Sequence, residues 1–256
     1  MKGELSMDRI MEDKTVLITG GSRGIGAAAA KLLASEGEKV MVTARGEEAL
    51  KALCGQIRAA GGAAEYMVSD AGDLSAPQRL ADETVSRFGG LDAVVCNAGI
   101  ALRSPTLDMP LEEWEQVMKV NLTAPMELAR VCLRRFREQK SGKVVFISST
   151  AARAVNMGAS PSYGASKAGL LYLTRHFATE FAKDNIQVNA ILPGPTDTEI
   201  TKTWTPEHRA KMISIMPGGR LGQPEDIAQA VLFLASSMSD FVTGEALMVN
   251  GGRFMM

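Results

Sequence analysis

The sequence predicts an α/β fold: one domain built on a doubly wound, seven-stranded parallel sheet with helices on both faces. Apolar, strand-like runs alternate with helix-length segments along the whole chain, without repeats or a linker. Such alternation implies parallel strands joined by right-handed helical crossovers. Breaks at Gly37, Gly61-Gly62, Gly89-Gly90 and Ser141-Gly142 fall where the intervening helices end. A chain of 256 residues suits one such domain, with a core that needs no disulfide.

The elements follow in order. Residues 1–13 are polar and read as a disordered leader, with Met7 or Met11 as alternative starts. The first strand covers 14–19 and runs into a glycine cluster, then an alanine-rich helix from Ala27 to Ser35. Further strands are expected at 39–44, 64–69, 91–96, 143–148, 186–192 and 246–249, and a long helical stretch from Leu111 to Lys140. In open sheets of this kind a ligand sits at the carboxyl ends of the strands, near the point where strand order reverses.

Composition bounds the function. A hydrophobic fraction of 46% and a charged fraction of 22% are ordinary for a soluble globular protein. A net charge of −1 gives no electrostatic reason to bind nucleic acid or a membrane surface. Cys54, Cys96 and Cys132 lie far apart without metal or redox spacing, so reduced thiols, a cytoplasmic setting and no metal are expected. No apolar run approaches the length of a membrane span, and the opening lacks a hydrophobic signal core.

Two motifs carry chemistry. Strand, glycine turn and helix meet at Thr19-Gly20-Gly21-Ser22-Arg23-Gly24-Ile25-Gly26. Glycines there permit close backbone approach to a pyrophosphate, and the helix N-terminus offers free N–H groups and a positive dipole end. The same turn also serves as a plain tight connection. The second motif is Tyr163 and Lys167, four residues apart and so on one helix face. A cation about 4 Å from a phenol favours the phenolate by roughly 4 kcal/mol at a dielectric near 20, before desolvation. That would bring the phenol toward general acid/base use, although such pairs also occur on ordinary surface helices.

Together these motifs resemble the short-chain dehydrogenase/reductase family, compact Tyr-x-x-x-Lys branch, over nearly the whole chain from about Lys14 to Arg253. Five motifs stand in family order: Thr19-Gly20-x-x-x-Gly24-x-Gly26, Asn97-Ala98-Gly99, Asn121, Ser149 with Tyr163 and Lys167, and Pro193-Gly194. The resemblance implies a Rossmann-type fold, a homotetramer, and hydride transfer between a nicotinamide and a carbonyl or secondary alcohol. Tyr163 would be the acid/base. Lys167 would tune it and hold the nicotinamide ribose, and Ser149 would bond the substrate oxygen. Ser149 lies 14 residues before Tyr163, one more than the usual family spacing. Strict counting lands on Thr150, but the Ile147-Ser148-Ser149 pattern favours Ser149 and a loop insertion. Asn121 would open its helix, because Pro125 lacks an N–H and crowds the carbonyl of residue 121; in the family the freed carbonyl binds a relay water. A purely structural kink is the alternative. Cys96 stands where many members carry asparagine.

The cofactor implied is NADP(H), with NAD(H) less favoured. Strand two ends in Ala44-Arg45, where an NAD enzyme would carry an acid. Arg45, with Arg23 in the glycine turn, suits a 2′-phosphate. The remaining contacts carried over are Ser22, Ile25, Asp70 with the backbone of Ala71, and Thr196 and Thr198 in a lid near 196–222. Within the lid, Ile200, Trp204, Met212, Ile213, Ile215 and Met216 suit either an apolar pocket or the buried faces of two small helices. Lys202, His208, Arg209, Lys211 and Arg220 would meet an anionic substrate or simply face solvent. A 3-oxoacyl-thioester reductase is one specific alternative. Asp184-Asn185 stands against it, because those reductases tend to carry arginine there. A catalytically idle cofactor-binding scaffold is another alternative, and the intact Ser149, Tyr163 and Lys167 argue against it.

Overall fold

The protein is described from a computed structural model, which covers residues 13–155 and 158–255. The expected leader therefore lies outside the described residues, apart from Asp13. Seven parallel strands form one sheet in the order β3-β2-β1-β4-β5-β6-β7. They are β1 (Thr15–Thr19), β2 (Lys39–Ala44), β3 (Ala63–Val68), β4 (Ala93–Cys96), β5 (Gly142–Ile147), β6 (Ile186–Pro193) and β7 (Ala246–Val249). The bounds of β2 and β7 match the sequence expectation, and the others shift by one or two residues. Strand order reverses between β1 and β4, where Leu17 faces Val94 in register, and this creates the crevice at the carboxyl edge.

Eight α-helices cover the faces among the described residues: α1 (Gly24–Ser35), α2 (Glu47–Ala59), α3 (Ala76–Phe88), α4 (Leu111–Met118), α5 (Ala124–Gln139), α6 (Pro161–Phe181), α7 (Pro206–Ser214) and α8 (Pro224–Ala235). Leu33, Leu50, Ile57 and Val231 bury the first, second and eighth against one face. Leu80, Leu133, Phe136 and Leu170 bury the third, fifth and sixth against the other. Because Leu33 is fully buried, Leu33→Ala would cost about 2–5 kcal/mol.

Three local outcomes depart from or refine the sequence reading. The stretch from Leu111 to Lys140 is not one α-helix: a π-helical segment, Lys119–Thr123, separates α4 from α5. The wider turn gives Pro125 room beside the carbonyl of residue 121. Helix α5 ends on Lys140, a non-glycine residue with φ 53°, and not on Gly142. Gly142 is needed for packing, since a Cβ there would lie 2.1 Å from Phe136 Cγ. Asp184, the residue that stood against the thioester reading, binds Lys140 Nζ at 2.5 Å and Arg137 at 3.4 Å.

At the amino edge of the sheet sits an unusual acid. Glu38 is fully buried, and neither carboxylate oxygen has a hydrogen-bond partner. Burial first, then Glu36 and Asp92, push its carboxyl up to about 9. Asp92 itself accepts from the Thr15 N–H at 2.9 Å and pairs with Lys14 at 3.0 Å. The three cysteines are free and buried. Among the described residues no helix is long and apolar enough to cross a membrane, and no cluster of metal-ligating side chains occurs.

Candidate active site

The carboxyl edge opens into a cleft of about 1780 Å³. Its floor is backbone. Gly20 and Gly24 adopt φ +66° and +54°, conformations that favour glycine. A Cβ at Gly26 would lie 2.5 Å from the Gly20 carbonyl, so Gly26 lets α1 close on the turn and does not itself line the cleft. Helix α1 begins without a side-chain cap or an acid in its first turn. Its amides are thereby left for an anion.

Asn97 fastens this turn to β4: its Nδ2 donates to the Thr19 and Gly20 carbonyls at 2.9 and 3.0 Å. The Ala98 N–H donates to Thr19 Oγ1 at 3.1 Å. Cys96, in the place of the family asparagine, donates its thiol to the Pro125 carbonyl at 3.7 Å, and burial first raises its pKa.

Ser149, Tyr163 and Lys167 all line the cleft. Ser149 follows β5, and its Oγ accepts from the Ala151 N–H at 3.1 Å. Tyr163 keeps part of its surface open, yet burial pushes its phenol up while a hydrogen bond with Ser149 pulls it down. That bond places Ser149 beside the phenol. Ser148 points away, donating to the Lys167 carbonyl at 2.9 Å while buried.

Lys167 is buried, and burial brings its ammonium down to about 8. Its Nζ donates to the Ile147 carbonyl at 2.8 Å and lies 5.9 Å from the centre of the Tyr163 ring. The helix-face estimate had the ammonium lowering the phenol; in the structure burial acts on the phenol more strongly, and Nζ lies over the ring.

Asn121 is buried and outside the cleft wall. Its Oδ1 accepts from the Ile100 N–H and its Nδ2 donates to the Ile100 carbonyl, both at 2.8 Å. A third bond, at 3.3 Å, reaches Ser166 Oγ. The π-helical opening coincides with this residue, as the proline predicted.

Every other residue carried over by resemblance lines the cleft: Ser22, Arg23, Ile25, Arg45, Asp70, Ala71, Gly99, Pro193, Gly194, Thr196 and Thr198. Arg23 and Arg45 are exposed there, and Ala44 beside them carries no acid. Asp70 Oδ1 accepts from the Gly72 N–H at 2.8 Å. Thr201 Oγ1 ties the start of the lid, donating to the Thr196 and Thr198 carbonyls at 2.9 and 3.0 Å. Thr198 is near enough to the glycine turn that a Cβ on Gly24 would touch it at 3.5 Å. These features fit a dinucleotide with an extra phosphate: close backbone, a free helix N-terminus, two exposed arginines and a threonine-held lid.

The lid differs in part from expectation. Among the described residues it holds one regular helix, α7 (Pro206–Ser214), in which no residue is buried. Only Met216 of the proposed apolar set is buried, while Ile200, Trp204 and Met212 line the cleft. Sequence reasoning missed Arg103, Arg253 and Phe254, which also line it. The C-terminal tail hooks back: Asn250 Nδ2 donates to the Phe254 carbonyl at 2.8 Å, and Asn250 Oδ1 accepts from the Gly252 N–H at 2.9 Å. Paired Gly251-Gly252 was the one available signal, and both take positive φ.

A doubly wound sheet with a glycine-built anion cradle and a Ser-Tyr-Lys cluster in one cleft defines a nucleotide-dependent oxidoreductase. The family profile described as enoyl-(acyl carrier protein) reductase matches residues 20–253. The chain is 37% identical over 247 residues to 3-oxoacyl-[acyl-carrier-protein] reductase FabG of Vibrio cholerae, covering 96% of this chain and 99% of that protein. It is 38% identical over 252 residues to L-rhamnose 1-dehydrogenase (NAD(P)(+)) of Azotobacter vinelandii, covering 96% and 98%. Its fold matches a short-chain type dehydrogenase/reductase from Mycobacterium marinum with a TM-score of 0.92 at 32% identity, over 97% and 99% of the chains. It also matches a candidate NAD(P) dependent gluconate 5-dehydrogenase from Beutenbergia cavernae with bound NADP, at a TM-score of 0.90 and 33% identity, over 95% and 97%. The chain belongs to the short-chain dehydrogenase/reductase family. It is an oxidoreductase that acts on carbonyl and CH–OH groups.

Proposed function

We propose that this protein reduces a small-molecule carbonyl to a secondary alcohol, or runs the reverse, with NADP(H) as its cofactor. The carrying observation is that Ser149, Tyr163 and Lys167 share one cleft with the glycine turn, Arg23 and Arg45. When bound, the nicotinamide supplies or accepts the hydride. Tyr163 delivers the proton to the carbonyl oxygen, and Ser149 donates a hydrogen bond where negative charge develops. Lys167 holds the ribose and stabilises the phenolate left behind, and Asn121 steadies the Ile100 backbone beside it. The glycine turn and α1 cradle the pyrophosphate, and Arg23 and Arg45 take the 2′-phosphate. Asp70 and Ala71 meet the adenine. Asn97, Ala98 and Gly99 support the nicotinamide ribose, and Pro193, Gly194, Thr196 and Thr198 hold the nicotinamide side.

The FabG relatives favour one narrower reading, reduction of a 3-oxoacyl thioester. A cytoplasmic homotetramer fits this reading of the chain. Exposed Leu111 and Tyr172 on α4 and α6 offer the apolar surface for subunit contact, and light scattering at micromolar concentration should show four copies. NADPH oxidation by purified protein against diketones, sugars, quinones, ketosteroids and 3-oxoacyl thioesters tests the activity. No oxidation with any of them would count against it.

A further inference from the structure

The charged residues lining the cleft can be sorted by what neutralises them. The lining acids among the described residues are Asp70, Asp73 and Glu199. The first two belong to the loop after β3, and Glu199 is bound to Lys202. Of the lining cations, Arg23 and Arg45 are assigned to the cofactor phosphate and Lys167 to the ribose. Lys119 lies close enough to Asp73 to help hold its carboxyl below the usual range, after the stronger effect of Ser75. Three remain, Arg103, Lys211 and Arg253, and the His208 imidazole stands with them on the lining.

These four come from the loop after β4, from α7 and from the C-terminal hook. Among the described residues none of them forms an ion pair. Their neighbours in the lid behave differently. Arg209 is bidentate to Asp197 at 3.1 and 2.6 Å, and Arg220 to Asp226 at 2.5 and 2.9 Å. The lid therefore matches its other cations with local acids and leaves only those on the cleft wall unmatched.

Cations that line one cleft without acid partners repel each other unless an anion joins them, and they raise the positive potential inside it. Arg103 is held in place before any ligand arrives: its Nη2 donates to the Ile200 carbonyl and to Thr203 Oγ1, each at 3.2 Å. Asn250 fixes the turn that carries Arg253. One preset guanidinium, that of Arg103, and a second carried on a fixed turn, that of Arg253, suit an oxyanion.

We propose that the substrate carries an anionic group, a carboxylate or a phosphate ester, on the same small molecule as its carbonyl, and that Arg103, Lys211 and Arg253 receive it. This rests on the carbonyl-reductase reading of the cleft and names its substrate class.

The test uses matched pairs with the whole protein and NADPH. Four- to six-carbon oxo-carboxylates are compared with their methyl esters, and dihydroxyacetone phosphate with dihydroxyacetone; the two sets separate carboxylate from phosphate. In at least one set the anion should show kcat/KM at least about tenfold higher, carried mainly by KM and shrinking as salt rises. Lys211→Gln and Arg253→Gln should each bring the anion-to-neutral ratio down several-fold. Tryptophan fluorescence provides a readout free of turnover, because Trp204 lines the cleft and packs 4.8 Å from His208. Titration with the same pairs should show tighter binding of the anion, lost in Trp204→Phe as a signal and weakened in Arg253→Gln as an affinity. Active enzyme that treats anion and neutral partner alike overturns the proposal and leaves the reductase reading intact. So does an anion preference unmoved by both substitutions. If no pair is reduced, the reductase reading is what suffers, and the titrations still decide the anion.

Discussion

The two halves of the cleft are made of different material. The nucleotide half is largely backbone: consecutive residues at the ends of β1, β2 and β4, pinned by Thr19 and Asn97 to the buried centre of the sheet, with Arg23 and Arg45 as exposed side chains at its rim. The substrate half is side chain: Arg103, Trp204, Lys211, Met212 and Phe254 reach in from three separate segments, none of them buried. A half built from backbone can hold a constant ligand, because substitution hardly alters where N–H groups point. A half built from exposed side chains can change its ligand without touching the fold. Dinucleotide binding is therefore robustly encoded here, whereas the 2′-phosphate preference, which rests on the Arg23 and Arg45 side chains, and substrate choice are not.

The catalytic cluster sits at the seam and should give the largest effect. Tyr163→Phe is expected to cut turnover by at least about 10²-fold while NADPH affinity, measured by calorimetry, stays within a few fold. Lys167→Ala should damage both, because that ammonium is proposed to serve the ribose and the phenol. Loss of cofactor affinity in the phenylalanine variant would mean that the seam is misdrawn.

A smaller effect, about tenfold or more, is expected in the nucleotide half. NADPH should bind more tightly than NADH, and Arg45→Asp should reverse much of that preference by replacing a phosphate partner with a repulsive charge. Equal affinities in the wild type would sink the assignment of Arg23 and Arg45. The same titration has a pH signature. Lys167 loses its proton near 8, so the ammonium is present below that pH, and NADPH affinity should weaken several-fold as pH rises through it. Lys167→Met should flatten the profile.

Ser149 and Thr150 sharpen the seam further. Ser149→Ala should lower turnover with cofactor binding intact, and Thr150→Ala should be mild, since Ser149 is the residue hydrogen-bonded to the Tyr163 phenol. The reverse order would put the inserted residue on the other side of the serine.

The nucleotide half was legible because its signals are local. A β-branched run, a glycine turn and a helix lie within a dozen residues, and each glycine has a steric reason to be there. The opening at Asn121 was legible for the same reason, since Pro125 acts on a carbonyl four residues away. The substrate half was not. Arg103 meets Ile200 across about a hundred positions of sequence, and nothing near Arg103 announces it. The hook at Asn250 depends on a side chain closing on the Phe254 carbonyl, which no local pattern announces. Likewise Gly142 is required because Phe136 leaves no room for a side chain there, a packing fact that local turn chemistry cannot supply, while Lys140 takes the positive φ that ends α5.

The smallest expected effect lies at the opposite edge of the sheet, away from both halves. Between pH 4.5 and about 9 Glu38 is protonated in the folded chain and ionised in the unfolded one. The unfolded state then binds fewer protons, so stability falls as pH rises through that window. Glu38→Gln should be more stable than the wild type at pH 8, with the gap narrowing toward pH 5 in urea unfolding. Activity should be unchanged, and a loss of activity would couple an edge that the account treats as separate.

The central claim, that one cleft joins a nicotinamide held by backbone to a carbonyl served by Tyr163, has a direct measurement. NADPH deuterated at C4 of the nicotinamide is incubated with the purified protein and its best carbonyl substrate, and the alcohol is examined by NMR or mass spectrometry. The account predicts one deuterium on the carbinol carbon, on a single face, and almost no labelled alcohol with Tyr163→Phe over the same time. Labelled alcohol formed equally fast by the Tyr163→Phe protein, or alcohol without the label, would contradict it.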